Sequence, residues 1–306
     1  MPLAKALFSF SARAQQLLRV FCLVVPLLGL GACSPKHLIV QGIASEMASQ
    51  GQAPEDDLVL AREASAFYLK LSEALLREVP DNIQLSESVA TGFTQYAYAF
   101  VAFEAEKLEA KDAKAAQLLR ERAARLYLRA NRHAMAALEH ATPGFRRALQ
   151  SRQPSEWPVV RADQVGLAYW AAASWGGYIS LSKDNPDAVA DLPLVVRLAQ
   201  SAYASDASYG RGALAGLMGT LEAARPGGST RQARAYFDQA IALGAQRNAG
   251  ALVAKAEGAA LPAGDRAEFE DLLRQALVIS ASTPDMQNAV MRERAQWLLA
   301  NADDLF

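Results

Sequence analysis

The sequence predicts an all-α protein built as an array of helical hairpins, and three observations predict it. Between its breaks the chain is rich in Ala and Leu, with apolar residues at the 3.6-residue helical period. No segment alternates apolar and polar residues over the length of a strand. A small–large–small pattern recurs at fixed spacing, most clearly at Ala123, Tyr127 and Ala130 and at Ala233, Phe237 and Ala240. Weaker copies are Ala64, Tyr68 and Leu71; Val195, Ala199 and Ala202; and Phe269, Leu273 and Ala276. Alanines let neighbouring helices approach closely, and the large residue fills the space left between them.

Taken in order, the chain opens on a basic, then apolar, segment. Residues 1–32 carry Lys5, Arg13 and Arg19 and no acid, and the apolar run Val20–Leu30 is shorter than the ~20 residues that span a bilayer. The run ends in Leu30-Gly31-Ala32-Cys33, which resembles a bacterial lipoprotein signal with its lipobox. That resemblance implies cleavage before Cys33 and lipidation of Cys33; an ordinary cleaved signal or an N-terminal membrane anchor is the alternative. Ser34 rather than Asp follows the cysteine. In signals of this kind that implies the periplasmic side of the outer membrane, its inner leaflet. The predicted organisation is a signal peptide over 1–32, a lipidated cysteine and tether over 33–54, and a helical-repeat domain over 55–306. Of the two cysteines, Cys22 leaves with the signal and Cys33 carries lipid, so neither a disulfide nor a catalytic thiol remains. Removing three basic residues from a net charge of −1 leaves the mature chain at about −4, a balance that does not point to a nucleic-acid binder.

The tether carries a predicted short helix from Leu38 to Ala48. Beyond Pro54, breaks fall at Val79–Asn82, Thr142–Gly144, Gln153-Pro154, Asn185-Pro186, Arg225–Gly228 and Leu261-Pro262. The first helices carry an aromatic stripe of Phe93, Tyr96, Phe100 and Phe103, and then an arginine stripe of Arg122, Arg125, Arg129 and Arg132. The aromatic stripe reads as core or as one wall of an apolar groove. The arginines read as a solvated face, with Glu121 pairing to Arg125, or as a surface for an acidic partner or lipid headgroups.

The central stretch Gly166–Asp206 begins with a helix apolar nearly all round, placed inside the fold. Tyr169, Trp170, Trp175 and Tyr178 lie within it, as core or as the other wall of the groove. Lys183–Pro186 stops that helix, and a new one is predicted near Pro193. Gly212, Gly216 and Gly219 share a helix and allow close packing. Ser229 with Gln232 and Asp265 with Glu268 have capping-box spacing, and Thr283-Pro284-Asp285 opens the last helix.

The small–large–small copies resemble the second helix of tetratricopeptide repeats, whose period is about 34 residues; the implied fold is an α-solenoid of degenerate repeats. A more specific likeness lies in YWAAASWGGYISLSKDNPDAVADLP, in Asp206-Ala207-Ser208-Tyr209-Gly210-Arg211-Gly212-Ala213, in Arg225–Gly228, and in Arg294–Leu299 with the ending Leu305-Phe306. These stretches resemble the T component of tripartite ATP-independent periplasmic (TRAP) transporters, the TatT family. The likeness is clear over 166–306 and collinear from Asp57 to Gly144. Ala256–Asp265 departs from it, being short where the family pattern implies a longer, aromatic-bearing segment. The resemblance implies a helical, repeat-built periplasmic lipoprotein, trimeric, that associates with the transporter's solute-binding protein.

No catalytic constellation is present: neither a Gly-x-Ser-x-Gly elbow nor a phosphate-binding Gly-x4-Gly-Lys loop occurs. His37 lies in the tether, and His133 and His140 are two turns apart rather than at the i, i+4 spacing of a helical zinc pair. No cofactor or metal is expected. Pro226–Thr230 before a helix start reads as a turn with its cap, or as an anion site at the helix N-terminus. Two functions therefore stand: a lipid-anchored partner of a TRAP solute-binding protein that shelters or passes an apolar ligand, and an envelope scaffold with no transport role.

Overall fold

The structure is a computed structural model, and it describes Gln41, Ile43, Ala44, Glu46, Met47 and residues 57–306. The signal segment, Cys33 and His37 lie outside the described residues. Gln41, Ile43, Ala44, Glu46 and Met47 are helical, within the short helix expected before Pro54. Every regular element among the described residues is a helix. In order they are α1 (Leu58–Glu78), α2 (Ile83–Ala97), α3 (Phe103–Leu108), α4 (Ala113–Ala141), α5 (Phe145–Gln150), α6 (Val165–Ser180), α7 (Pro186–Ala190) and α8 (Leu192–Ser205). There follow α9 (Ala213–Ala224), α10 (Thr230–Gly244), α11 (Ala249–Lys255), α12 (Arg266–Ser282), α13 (Met286–Ala300) and α14 (Ala302–Leu305). A π-helical turn, Tyr98–Ala102, joins α2 to α3, and a second, Ala256–Ala260, extends α11.

The helix starts follow from side-chain caps. Asp57, Asn82, Asp112, Ser229, Asp265 and Asp285 each accept a backbone N–H of the first turn they precede. Only one half of each expected capping box forms. Ser229 accepts from the Gln232 N–H at 3.2 Å, but its own N–H donates to Glu222 Oε1 at 2.7 Å. Asp265 accepts from the Glu268 N–H, while the Glu268 carboxylate accepts from Arg234. Asp285 rather than Thr283 caps the last long helix, because its Oδ1 reaches the Asn288 N–H at 2.8 Å.

Successive helices pack pairwise: α2 on α4, α4 on α6, α6 on α8, α9 on α10, α11 on α12, and α12 on α13. The small–large–small pattern explains the spacing. Phe237 is fully buried, and a Cβ at Gly219 before it or at Gly258 after it would lie 2.7 Å from its ring. Tyr127 repeats the arrangement, its ring 2.8 Å from where a Cβ of Gly177 would be. One large residue thus fits between alanines on its own helix and a glycine on the neighbour, which holds the helices at close range. Gly212 caps α9 with φ +88°, and a Cβ there would lie 2.5 Å from the Ala240 carbonyl oxygen. Gly216 and Gly219 lie further along the same helix.

The last long helix returns to the first ones. α13 packs on α1, and its Arg294, 7 % exposed, donates to Glu257 at 2.9 and 2.5 Å and to Glu106 at 3.0 Å. The Arg294 guanidinium also lies over the rings of Tyr98 and Phe103, at 5.6 and 5.2 Å. Trp297 meets Phe103 edge to face at 5.7 Å, and Lys107 binds Glu293 at 2.8 Å. Tyr98 and Glu257 belong to the two π-helical turns, so both irregular turns present a side chain to the same arginine. The helical array therefore closes on itself rather than ending free.

Candidate functional site

Tyr169 and Trp170 of α6 stand against a half-buried polar pair, Tyr209 and Glu87. Tyr169 meets Trp170 edge to face at 4.8 Å and tilts against Tyr209 at 5.3 Å. The Tyr209 hydroxyl donates to Glu87 Oε1 at 2.8 Å. A Cβ at Gly166 would collide with the Glu87 carboxylate, so glycine at this point of α6 makes room for the acid. Burial pushes the Glu87 carboxyl above its usual range, and the Tyr209 hydrogen bond offsets this only in part. Burial likewise pushes the Tyr169 hydroxyl up to about 12. Trp175 hydrogen-bonds Asp191 at the start of α8. Tyr178 packs around Tyr127 together with Tyr96 and Tyr98.

The fold packs Tyr96 of the first aromatic stripe against the same cluster as Tyr178, and it sends the other members of that stripe elsewhere. Phe93 stacks on His133 at 6.2 Å with the Arg129 guanidinium 4.9 Å from its ring. Phe100 packs with Ala61 and Val290, and Phe103 with Trp297. All three are buried.

A cleft of ≈ 340 Å³ opens along the same face of α2. Glu87, Thr91, Gln95 and Tyr98 follow one another at spacings of four, four and three residues, a single helical face. Thr91, Gln95 and Tyr98 line the cleft, with Arg211 from the α8–α9 turn and Met286, Val290 and Met291 from α13. Burial pushes the Tyr98 hydroxyl well above its ordinary range, more than the Arg294 charge lowers it.

Arg211 has φ +53° between Gly210 at +62° and Gly212 at +88°. A non-glycine residue held there costs on the order of 1–3 kcal/mol and persists only where its surroundings fix it. Here the Arg211 carbonyl oxygen accepts from Asn248 Nδ2 at 3.3 Å, and Gly212 presses on α10. Among the described residues the Arg211 side chain makes no ion pair. Sequence reading passed over Glu87, Tyr98 and Arg211; Arg211 lies inside the Asp206–Ala213 stretch, flanked by two glycines.

The arginine stripe divides. Arg129 binds the buried Glu73 carboxylate through Nε at 2.6 Å and also through Nη2, and Lys70 and His133 bind the same acid at 2.6 and 2.9 Å. Burial alone would raise the Glu73 carboxyl; the hydrogen bonds from Arg129, Lys70 and His133 outweigh it and hold the group at about 2. Arg122, Arg125 and Arg132 are exposed. Arg122 lies 5.9 Å over the Tyr96 ring, and Arg125 is 4.0 Å from Glu121.

Among the described residues no group of three His, Cys, Asp or Glu side chains has the arrangement of a metal site, and no helix is long and apolar enough to cross a membrane. The family model described as TRAP transporter T-component matches residues 54–306, which takes in every helix from α1 to α14. An uncharacterized protein of Treponema pallidum (strain Nichols) is 30 % identical over 269 residues, covering 82 % of this chain and 81 % of that one. A closed helical array, glycine-spaced aromatics and a match over nearly the whole described chain lead to one assignment: the chain belongs to the TRAP transporter T-component family, an accessory component of transport.

Proposed function

We propose that this protein is a lipid-anchored periplasmic partner of a TRAP solute-binding protein, and that it shelters or passes an apolar ligand for it. The observation that carries the reading is the family match over 54–306. Cys33 supplies the anchor, in the inner leaflet of the outer membrane, and residues 34–54 the tether. At a random-coil reach of about 5–6 Å × √n, some twenty residues let the domain stand off by roughly 25 Å. Tyr169, Trp170, Trp175 and Tyr178, with Tyr96, form the apolar wall, whereas Phe93, Phe100 and Phe103 serve the core away from it. Arg122, Arg125 and Arg132 offer a basic surface to an acidic partner, while Arg129 fixes α4 to α1 through Glu73. Self-association as a trimer fits the same reading, since cyclic assemblies bury a repeated patch.

The deciding experiment titrates the full chain with the solute-binding protein recovered from periplasmic extract. Saturable binding supports the proposal. No binding at tens of micromolar, an affinity weaker than about −6 kcal/mol, transfers the protein to the alternative, an envelope scaffold with no transport role. Cys33→Ser tests the anchor separately: it releases the protein from membranes or leaves it unprocessed, because acyl chains hold it by about 0.8 kcal/mol per buried CH₂. Unchanged membrane partitioning of that variant rejects lipidation.

A further inference from the structure

The outer face of α1 is apolar where a solvent-facing helix is ordinarily polar. Leu60, Ala64, Phe67, Leu71 and Ala74 follow one another at spacings of four, three, four and three residues, a single line along the helix. That line is not the face α1 turns to the fold, where Ala61, Leu69, Ser72 and Leu76 are buried. Phe67 is 73 % exposed, Leu60 52 % and Leu71 45 %, with Val59 nearby at 69 %. Among the described residues no other helix exposes more than one large apolar side chain. A helix apolar on both faces calls for a cover on the second, and a contiguous exposed patch of this kind marks an interaction surface. Two observations point to the cover. First, α1 is where the chain from Cys33 reaches the domain: the Tyr68 hydroxyl donates to the Met47 carbonyl oxygen. Met47 follows Cys33 by fourteen residues, roughly 20 Å of random-coil reach. Second, the row bordering the line, Glu63, Lys70 and Arg77, carries two cations to one acid. Glu73 then joins α1 to Arg129, and Arg125 and Arg132 stand exposed one turn to either side of that arginine.

We propose that this face of α1 lies on the bilayer that holds the lipid anchor, with Leu60, Phe67 and Leu71 at the acyl boundary and Lys70 and Arg77 among the headgroup phosphates. A helix lying in the interface buries its apolar face about 5–10 Å into the headgroup and acyl boundary, and its cations stay with the anionic headgroups. A few side chains hold a free domain only weakly. The anchor changes this, because it keeps α1 within reach of the surface and turns a weak contact into an intramolecular one. The consequence is orientation: with α1 lying flat, the domain meets its periplasmic partner in one pose instead of swinging on its tether. The inference rests on the anchor part of the proposed function, and it names headgroup phosphate as an acidic neighbour for Arg125 and Arg132.

The test uses the full chain, processed and acylated, in vesicles of phosphatidylethanolamine and phosphatidylglycerol. Cys22 and Cys33 are its only cysteines; with the first removed and the second acylated, Ala64→Cys adds one free thiol, on the line itself. A nitrobenzoxadiazole label there is expected to lose at least about half its emission to lipids that carry a nitroxide near the headgroup, the depth at which an interfacial helix lies. The same label on Val278→Cys, an exposed position of α12, is expected to keep its emission. Adding Phe67→Glu and Leu71→Glu should restore the emission at position 64 while the anchor still holds the protein on the vesicles. Both sites are exposed, and thermal melting checks the fold; should the pair not fold, Phe67→Gln alone is expected to restore part of the emission. Equal quenching at positions 64 and 278 overturns the proposal, as does quenching at 64 that survives the two glutamates, since the tether alone would then explain it. A label at 64 that is shielded from water yet untouched by lipid nitroxide means that another protein chain covers the line, and also overturns it. The mass of the purified protein reports acylation separately. An unmodified Cys33 refutes the anchor and the inference with it, whereas an unquenched label at 64 on an acylated chain refutes the inference alone.

Discussion

Phe237 shows how single residues set the spacing of the array. Its ring occupies space that a side chain on Gly219 or Gly258 would need. Replacing Gly219 by Ala gains about 0.5–1 kcal/mol of helix preference but places a Cβ 2.7 Å from the ring, and such overpacking costs about 1–3 kcal/mol. The overpacking wins because Phe237 is buried on every side, so Gly219→Ala should lower the urea midpoint of unfolding; a raised midpoint would show that the ring can move. Glu73 is the second residue whose surroundings decide its behaviour. Its folded-state value of about 2 lies below the ordinary 4.5. The stability it contributes is therefore full above about 4.5 and is lost as the pH falls from there towards 2. Glu73→Gln should cost about 1–2 kcal/mol at pH 7, less than the 3–5 of a fully buried pair because Arg129 and Lys70 can turn to water. It should also flatten the loss of stability between pH 4.5 and 2 that the parent chain shows; an unaltered acid profile would exclude Glu73 as its source.

At the scale of elements, helix existence and helix starts were legible because they depend on local chemistry. Pro193, Ser229 and Asp265 stand where capping and proline stereochemistry require, whereas Asn185 and Pro186, read as a stop, also cap and open the short α7. Asp265→Ala should therefore destabilise the protein by about 1 kcal/mol, the usual value of an N-cap, read as a shifted denaturant midpoint with unchanged slope. What local patterns could not supply was the second partner. Glu268 has the spacing to return to its own cap, yet it lies nearer Arg234 of α10, and Glu222 reaches Ser229 from the preceding helix. The π-helical turns at Tyr98 and Ala256 were equally hidden, since one extra residue in a turn leaves the apolar period almost unaltered. The aromatic stripe shows the same limit. Its period placed all four residues on one helix, but the π-helical turn rotates Phe103 away from Tyr96 and towards Trp297.

For the whole molecule, the repeat pattern announced an array, but not that its ends meet. Glu106 and Arg294 are 188 residues apart in sequence, and no local period links them. The same distance hides the cleft, which takes its walls from α2, the α8–α9 turn and α13. Arg294→Ala would leave the half-buried Glu257 carboxylate without its cation and is expected to cost about 2–3 kcal/mol, less than the 3–5 of a fully buried pair. The loss should be visible by hydrogen exchange as early opening of α13 and α1 together, while α4 and α6 keep their protection. Uniform loss across all helices would instead mean that the junction is no weaker than the rest.

The meeting of the two ends also constrains how this family can change in length. An open array tolerates the gain or loss of a hairpin at either end, because each repeat touches only its neighbours. Here one more hairpin would carry α13 away from α1 and α3, and one fewer would leave Arg294 short of Glu106. Insertions are thereby confined to connections between helices, and the number of hairpins becomes a fixed count.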